Sequence, residues 1–483
     1  MEDEVFQDMK VEVFVRLKFS YDSLSSDKVK SCFLYCSLFP EDFEIPKRGL
    51  VDYWICENFG DRNESYSIIG SLVGACLLEE LGEYVKMHNV IRYMALWIAC
   101  KCEKEKHGFF VEAGAQLTQV PEISDGFFQF MDALNVLDLF GTGIRELPMG
   151  ISKLNSLQYL NLSGTLTRQL PIELKMLVNL KYLKLENTIN LNMIPRGVIS
   201  SLSSLQVLEM YNVGIFEVQK GEDNLLRKDN MLIEELQCLE HLNVLSITIT
   251  SVSGLQSYVN THTLPDCTRA LSLRLFPGPQ SLNIWWLANM KNLGFIYTVG
   301  RSDLGEPDVD VVMEEIETHD DAGGGLGNSM ISRETCFNSL HTLMLGRKLR
   351  LTDLTSIILA PNLKYLFVGE NKHIEEIISV EKLDDVQVGD ENFNPFFKLE
   401  YLILDELPEL KSIYPKVLSF PSLKRIEVYK CPQLKKLPLN SSSANGGKVK
   451  IEAEERWWKD VEWEDDSTKT TFLPCFVPSR HRY

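Results

Sequence analysis

The stretch Leu157-Gln-Tyr-Leu160-Asn-Leu162 decides the fold, because its leucine spacing recurs along most of the chain. In the first set of copies, successive starts are 23, 23 and 25 residues apart. A period of this length is typical of leucine-rich repeats, which stack one short strand per repeat around a shared core. The pattern therefore predicts a scaffold for binding. The copies begin at Leu134, Leu157, Leu180, Leu205, Leu340, Leu363, Leu399 and Leu423, with weaker ones at Leu242 and Leu293.

The chain as a whole is predicted to be an α/β protein, with a small helical domain in front of a leucine-rich-repeat solenoid, or horseshoe. Apolar residues three or four apart indicate helices near Cys32–Cys36, Leu50–Ile55 and Val90–Cys100. Three helices and a hairpin before the last one are typical of a winged helix. The predicted domains are a winged-helix regulatory domain at 1–105, a linker and repeat cap at 106–132, the repeats at 133–440, and a C-terminal cap and tail at 441–483. Acidic insertions interrupt the repeats near 217–235, 300–335 and 375–395.

Charge and hydropathy narrow the compartment and the partners. The 483 residues include 68 acidic and 49 basic side chains, a net charge of −19 that would repel a phosphate backbone. We therefore expect no nucleic-acid partner. No apolar run approaches the length of a bilayer crossing, and the start Met1-Glu-Asp-Glu4 is acidic where a secretory leader is basic. The expected location is the cytosol, with peripheral attachment at the plasma membrane left open.

Cysteine usage fits a reducing compartment. The eleven cysteines are scattered and odd in number. Cys32, Cys76 and Cys238 lie in apolar segments, which predicts buried thiols and not a disulfide framework. Cys32 and Cys36 are four residues apart, yet no second ligand pair follows them, so we expect no metal site.

Motifs for catalysis and for gripping phosphate are missing from the sequence. A Gly-Lys pair occurs once, at Gly447-Lys448, and Val449 follows it where a phosphate-binding loop has serine or threonine. None of the eight histidines has the HExxH spacing, and no Gly-x-Ser-x-Gly turn is present. We expect no catalytic residues and no enzymatic activity.

Side chains that point out of the repeat strands are the candidates for binding. In an LxxLxL strand the last two leucines face the core, so the residues on either side of the second leucine face outward. Large aromatic and aliphatic side chains at such positions often anchor protein interfaces. The alternative is that a tyrosine there merely suits a strand and covers its neighbour up the stack. The predicted partner-binding residues are Tyr159, Tyr182, Tyr365, Phe367, Tyr401 and Ile403.

Several motifs resemble one known family. The segments Cys32-Phe-Leu-Tyr-Cys-Ser-Leu-Phe-Pro-Glu-Asp42 and Met87-His-Asn-Val-Ile-Arg-Tyr-Met-Ala-Leu-Trp97 resemble the winged helix of plant nucleotide-binding leucine-rich-repeat disease-resistance proteins, in the coiled-coil subgroup. The likeness continues through the repeats to Cys431–Pro438 and Glu455–Trp463. The chain looks like the C-terminal portion of such a protein, without the phosphate-binding loop and beginning at what would be an internal methionine.

The resemblance implies a plant innate immune receptor, or a truncated fragment of one, that takes part in the hypersensitive response. In that family the repeats sense a pathogen effector or a guarded host protein and hold the switch at rest. The winged helix closes over ADP in an upstream nucleotide-binding domain. ADP or ATP would therefore be held through that missing domain, with no cofactor in this chain alone.

A Met-His-Asp motif makes the closing contact in that family, and it maps onto Met87, His88 and Asn89. His88 would donate a hydrogen bond to a terminal phosphate oxygen. Asn89 replaces the aspartate and loses its charge, so the resting latch is expected to be looser. The alternative is that His88 and Asn89 only form a turn at a helix start, with Asn89 as its cap.

Other functions stay open at this point. The chain would also suit a repeat adaptor or decoy that binds partners without switching. A substrate-recognising subunit of a ubiquitin ligase would use similar repeats behind an F-box helix, which the first 125 residues do not resemble. A winged helix could also bind DNA, but those residues hold more acidic than basic side chains.

Overall fold

The computed structural model divides into two compact units, Met1–Leu205 and Gln206–Tyr483. The residues that the structure describes are 18–101, 123–124, 126–214, 223–274, 281–283, 287, 290–298, 309–312, 337–346, 349–350, 352–355, 360–379, 394–443 and 448–479.

The first unit opens with a helical domain that carries a small antiparallel sheet. Residues 18–22 are helical, and four longer helices follow. The three strands pair in the order β1-β3-β2. The elements are α1 (Asp27–Cys36), β1 (Glu44–Pro46), α2 (Lys47–Cys56), α3 (Arg62–Gly74), β2 (Glu79–Leu81), β3 (Tyr84–Lys86) and α4 (Asn89–Lys101).

Helix α3 lies where the sequence pattern predicted no separate helix. Its start is fixed by Asp61, whose carboxylate accepts a hydrogen bond from the Glu64 N–H at 2.8 Å. The side chains that α3 buries are Ser65, Ile68, Ile69 and Leu72. A serine at the first of these positions breaks the apolar period, which explains why the sequence pattern showed three helices where the structure has four.

The first unit continues into repeats that match the predicted register. Strands β4 (Val136–Asp138), β5 (Tyr159–Asn161) and β6 (Tyr182–Lys184) are parallel neighbours, with Leu137, Leu160 and Leu183 in register. Leu160 and Leu183 are fully buried. Short 3-10 helices at Met149–Lys153 and Ile172–Met176 return the chain to the next strand. The prediction of leucine-rich repeats is confirmed here.

Among the described residues of the second unit, ten parallel strands pair in chain order and three more form a separate sheet. The ten are β7 (Val207–Glu209), β8 (Val244–Ile249), β9 (Thr268–Leu273), β11 (Phe295–Thr298), β13 (Thr342–Leu345), β15 (Tyr365–Gly369), β16 (Tyr401–Asp405), β17 (Arg425–Tyr429), β18 (Lys450–Ala453) and β19 (Phe476–Pro478). The separate sheet holds β10 (Ser281–Asn283), β12 (Val309–Val312) and β14 (Leu349–Arg350). The helices of this unit are α5 (Asp229–Leu236), α6 (Val252–Val259), α7 (Leu264–Cys267), α8 (Glu455–Lys459) and α9 (Asp466–Phe472).

Three of the ten strands that pair in chain order were not predicted from the leucine pattern, nor were the three strands of the separate sheet. Strand β9 has the sequence Thr268-Arg-Ala-Leu271-Ser-Leu273, so a threonine stands where the other repeats have their first leucine. Strands β18 and β19 lie at the end of the sheet, within the region predicted as cap and tail. There the Trp457 ring N–H donates to the Leu434 carbonyl at 2.8 Å, and the Trp458 ring stacks on Phe476 at 4.7 Å.

Many repeats turn away from the sheet through a residue with positive φ, two positions after the last inward residue of the strand. Gly164 has φ 67°, Asn212 has φ 58° and Glu406 has φ 54°. Glycine and asparagine tolerate this left-handed region best. In the second unit the Asn212 N–H also donates to Thr248 Oγ1 at 2.8 Å, which fixes the turn after β7 against β8.

Parts of the acidic insertions are folded. Leu225, Leu232 and Leu236 are buried, the first in a 3-10 helix at Leu225–Arg227 and the other two in α5. The stretch near 217–235 is therefore built into the second unit from residue 223 onward. Most of the insertions near 300–335 and 375–395 lies outside the described residues.

The cysteine prediction was right for Cys32 and wrong for two others. The eight cysteines whose side chains the structure describes are free thiols, and Cys32 is fully buried. Cys76 and Cys238 are exposed. Both stand one residue beyond the C-cap of a helix, Cys76 with φ 56°, where the chain turns and the apolar period no longer fixes the side-chain direction.

Candidate functional site: the sheet face of the repeats

The predicted binding residues of the second unit lie together on one face of its long sheet. We call this the sheet face, meaning the strand positions that alternate with the buried leucines. Tyr365 is in register with Tyr401, and Phe367 with Ile403. All four are half-buried, and the Tyr365 and Tyr401 rings are 5.9 Å apart at 37°. We call this pair of tyrosines the second ladder.

The first unit has a tyrosine pair of the same geometry, but this pair is buried. Tyr159 and Tyr182, the first ladder, are in register, and their rings are 5.7 Å apart at 37°. Yet Tyr159 is only 1% exposed and Tyr182 only 4%. The cover is α2 of the helical domain: the Tyr53 ring meets the Tyr159 ring edge-on at 4.9 Å, and the Tyr53 hydroxyl donates to Asp138.

Charged groups surround this aromatic contact. Asp52 of α2 is 2% exposed, and its carboxylate meets the Arg62 guanidinium at 2.8 Å and the Lys184 ammonium at 3.6 Å. Lys184 belongs to β6 and also lies 5.5 Å from the centre of the Tyr159 ring. A buried carboxylate needs such partners, because taking it out of water unpaired costs several kcal/mol. The ion pairs therefore help fix the helical domain on the first repeats.

Burial alters the acidity of the tyrosines in this contact. Burial first, and then the nearby charge of Asp52, raise the pKa of Tyr182 to about 12. Burial first, and then the charge of Asp138, raise the pKa of Tyr53 well above its usual range. Both hydroxyls are held in their neutral, hydrogen-bonding form.

We expect the contact between α2 and the first ladder to weaken at alkaline pH. An unfolded tyrosine loses its proton near pH 10, below the folded pKa of Tyr182. The contribution to stability is present below about pH 10 and is lost as the pH rises toward 12, because the unfolded chain then releases the proton first. Amide exchange of α2, followed together with phenolate absorbance, measures this. Unchanged α2 protection across that range would contradict the burial of these hydroxyls.

The predicted latch residues lie at the start of α4. His88 is exposed, and its Nδ1 accepts a hydrogen bond from the Val90 N–H at 3.2 Å. That bond places the proton of a neutral ring on Nε2. The Asn89 amide donates to Asp42 at 3.3 Å, and Lys86 meets the same carboxylate at 2.7 Å and lowers its pKa.

The structure brings in residues that the sequence analysis missed as site residues. The sequence pattern places Tyr53 only within the helix near Leu50–Ile55 and gives no signal that Asp52 is buried. Asp138 and Lys184 each follow the second leucine of a repeat and so are predicted to face outward, but a charge at such a position is typical of a solvated strand. Their role depends on a contact between segments about a hundred residues apart, which local periodicity does not encode.

Two further properties of the described residues bear on the site. None of their helices is both long and apolar enough to cross a membrane. In the same part of the chain, no group of three or more His, Cys, Asp or Glu side chains is placed to hold a metal ion.

Family models agree with this geometry. Residues 129–294 match the model described as a leucine-rich repeat region. Residues 326–446 match the model of the leucine-rich repeats of RPS2-like plant disease resistance proteins. The parallel strands and these matches define a leucine-rich-repeat protein.

Curated relatives narrow the class further. The chain is 37% identical to the disease resistance protein RPS5 of Arabidopsis thaliana, over 97% of this chain and 56% of that protein. It is 37% identical to the disease resistance protein SUMM2 of the same plant, over 95% of this chain and 54% of the relative. A leucine-rich-repeat protein of Leptospira interrogans aligns with 76% of this chain and 95% of its own, at 18% identity and a TM-score of 0.38. The chain belongs to the plant disease resistance proteins, and it spans about half the length of the relatives that it matches.

Proposed function

We propose that this chain is the sensing and restraining part of a plant innate immune receptor. The family supports the immune role, since the relatives RPS5 and SUMM2 are disease resistance proteins. The repeats would sense a pathogen effector or a guarded host protein. The helical domain, as a winged helix, would latch ADP in an upstream nucleotide-binding domain.

A comparison of the two tyrosine ladders supports the proposal that some repeats restrain the helical domain and others bind the partner. The two tyrosine ladders share one geometry, with ring separations of 5.7 and 5.9 Å and the same angle of 37°. A lysine lies over one ring of each, Lys184 at 5.5 Å and Lys424 at 5.8 Å. One ladder is buried under the chain's own α2, whereas the other is half-buried. The first ladder therefore suits restraint of the helical domain, and the second suits recognition of a protein partner.

Restraint follows from what α2 would lose on leaving the first ladder. Separation would expose the rings of Tyr53, Tyr159 and Tyr182 to water and leave Asp52 without Lys184. Both changes cost free energy, through apolar surface and through an unpaired charge. The helical domain thus has a preferred resting position, which a ligand of the repeats can alter by binding the other state more tightly.

Recognition is assigned to the second ladder and its neighbours Phe367 and Ile403. Tyrosine supplies a broad and fairly rigid contact surface with a hydroxyl at its tip. Replacing Tyr365 and Tyr401 with alanine should leave folding intact and weaken a protein partner by about 1 to 4 kcal/mol. The measurement is quantitative recovery of binding proteins from infected leaf extract, followed by affinity of the recovered partner for each variant.

Tyr66→Ala is the matched control for that experiment. Tyr66 lies in the helical domain and is 42% exposed, so its loss removes a surface tyrosine that is not part of the second ladder. A partner that binds the Tyr365→Ala/Tyr401→Ala variant as tightly as the wild type would return the second ladder to a scaffolding role.

The latch is supported by two atoms near the start of α4. The His88 Nε2–H is available as a donor, because Nδ1 already accepts from Val90. Asn89 Oδ1 is buried, and within the described residues it has no hydrogen-bond partner. A buried acceptor of this kind costs about 1 to 3 kcal/mol until a donor reaches it. A donor from an upstream domain would remove that cost.

The gene upstream of residue 1 tests the nucleotide part of the proposal. We expect an in-frame loop ending in Gly-Lys-Ser or Gly-Lys-Thr. The receptor purified with that segment should carry about one ADP per chain, and His88→Ala should reduce that amount. Asn89→Asp, which restores the family's aspartate, should increase ADP retention if the missing charge loosens the latch. A full-length protein that carries no nucleotide would reject the latch and leave the recognition proposal standing.

A further inference from the structure

The sheet face of the second unit has a stretch of small residues that differs from its neighbours. Across β8 and β9 the face positions are Ser246, Thr248, Ala270 and Ser272. On the next strand, β11, they are Phe295 and Tyr297, in register with Ala270 and Ser272. The face therefore changes from small residues to large aromatic ones within one strand spacing of about 4.8 Å.

Tyr211 crosses this stretch. It follows β7, and its ring lies 5.1 Å from the Phe295 ring and 5.9 Å from the Tyr297 ring. Strand β7 is three strands away from β11, about 14 Å at the usual spacing. To meet rings on β11 from that distance, the Tyr211 side chain must extend over β8 and β9. The turn that carries it is held by the bond from Asn212 to Thr248.

One of the strands that the Tyr211 side chain must extend over, β9, carries a buried serine on this face. Ser272 is fully buried, and within the described part of the chain its Oγ has no hydrogen-bond partner. A buried hydroxyl left unpaired costs about 1 to 3 kcal/mol, so such groups are rare in folded proteins. It lies in the same row as Thr248 and Tyr297, on the face that Tyr211 covers.

We propose that Tyr211 is a side-chain lid over a pocket that accepts a tyrosine from a protein partner. The incoming phenol ring replaces the Tyr211 ring against Phe295 and Tyr297, and its hydroxyl pairs with Ser272 Oγ. Tyr211 itself shows that a phenol ring fits against these two side chains, at 89° to one and 56° to the other. The pocket lies on the sheet face proposed to recognise a partner, so the identity of its biological occupant rests on the proposed function. The ability of the pocket to bind a phenol ring is independent of that function.

The test uses p-cresol, which is the side chain of tyrosine as a free molecule, and toluene, which lacks the hydroxyl. In a Tyr211→Gly variant of the full chain, p-cresol should bind about fivefold to tenfold more tightly than toluene, as expected for one net hydrogen bond. The thermal midpoint Tm should rise accordingly. Adding Ser272→Ala should abolish that preference. Wild-type protein should bind p-cresol more weakly, because Tyr211 occupies the pocket.

Tyr401→Gly is the matched control, because it removes a tyrosine from the same face away from Ser272, and it should show no preference that depends on Ser272. Ser272→Ala alone keeps the proposal testable if Tyr211→Gly does not fold: it should leave the wild-type Tm unchanged or higher and lower p-cresol affinity. Absence of p-cresol binding, or a preference for p-cresol that survives Ser272→Ala, would overturn the pocket. Neither result would affect the immune role, which the leaf and nucleotide experiments test separately.

Discussion

Replacing Tyr159 with alanine should release the helical domain from the first repeats. The ring is 1% exposed and lies between the rings of Tyr53 and Tyr182, at 4.9 and 5.7 Å. Losing a buried aromatic ring of this size costs about 3 kcal/mol or more. We expect a lower free energy of unfolding, and faster amide exchange in α2, because its cover on the repeats is gone. Exchange measured by mass spectrometry, residue range by residue range, reports both effects.

Tyr365→Ala is the matched control for this release. Tyr365 has the same position in its repeat and the same ring geometry with Tyr401, but it is half-buried. Its loss should change the free energy of unfolding much less and leave α2 exchange unaltered. If Tyr159→Ala and Tyr365→Ala proved equal in both respects, the contact between α2 and the first ladder would carry no restraint.

Leu160→Asp should unfold the repeats around β5. Leu160 is fully buried and lies in register between Leu137 and Leu183, so a carboxylate there would lie in the core without a partner. Burying an unpaired charge costs several kcal/mol, a large part of the stability of a domain. Leu183→Asp should act in the same way. Circular dichroism during thermal unfolding shows the loss of the cooperative transition.

Leu166→Asp makes the same substitution where the structure predicts little effect. Leu166 belongs to the repeat that β5 opens but is 41% exposed, so the new carboxylate stays in water. A soluble Leu160→Asp variant with a cooperative transition like that of Leu166→Asp would show that the strand register is wrong.

The register of the repeat strands follows from the sequence, because in the LxxLxL pattern the leucines reach one shared core in only one register. Tyr159, Tyr182, Tyr365 and Tyr401 were placed on the sheet face from that spacing, and the strand pairing puts them there. That an outside protein contacts them stays a prediction. In this structure the first pair instead meets the chain's own α2.

What covers each ladder was beyond the sequence pattern. Tyr53 and Tyr159 are more than a hundred residues apart, and nothing in either local segment encodes their meeting. The leucine pattern also did not predict the less regular features of the second unit. Strand β9 was missed because Thr268 replaces the first leucine of its repeat, and the lid formed by Tyr211 depends on side chains from strands that are not adjacent.

Reversing one charge can weaken the hold of the first repeats on the helical domain without disturbing the core of the repeats. Lys184 belongs to β6 of the first repeats, and its ammonium group meets the Asp52 carboxylate of α2 at 3.6 Å. Lys184→Glu therefore turns this attraction into a repulsion and leaves the buried leucines unchanged. Lys424 also lies over a ring of the second ladder, although at a different position of its repeat, and its ion pair is with Glu400 at 2.5 Å. The two substitutions change the net charge equally.

The most direct test is cell death in leaf tissue that expresses the full-length receptor encoded by the gene. We predict that Lys184→Glu causes hypersensitive cell death without a pathogen, because the helical domain leaves its resting position, whereas wild type and Lys424→Glu stay silent. Immunoblotting establishes equal accumulation of the three proteins. A Lys184→Glu receptor that accumulates normally and stays as silent as wild type would contradict the claim that the first repeats hold this receptor at rest.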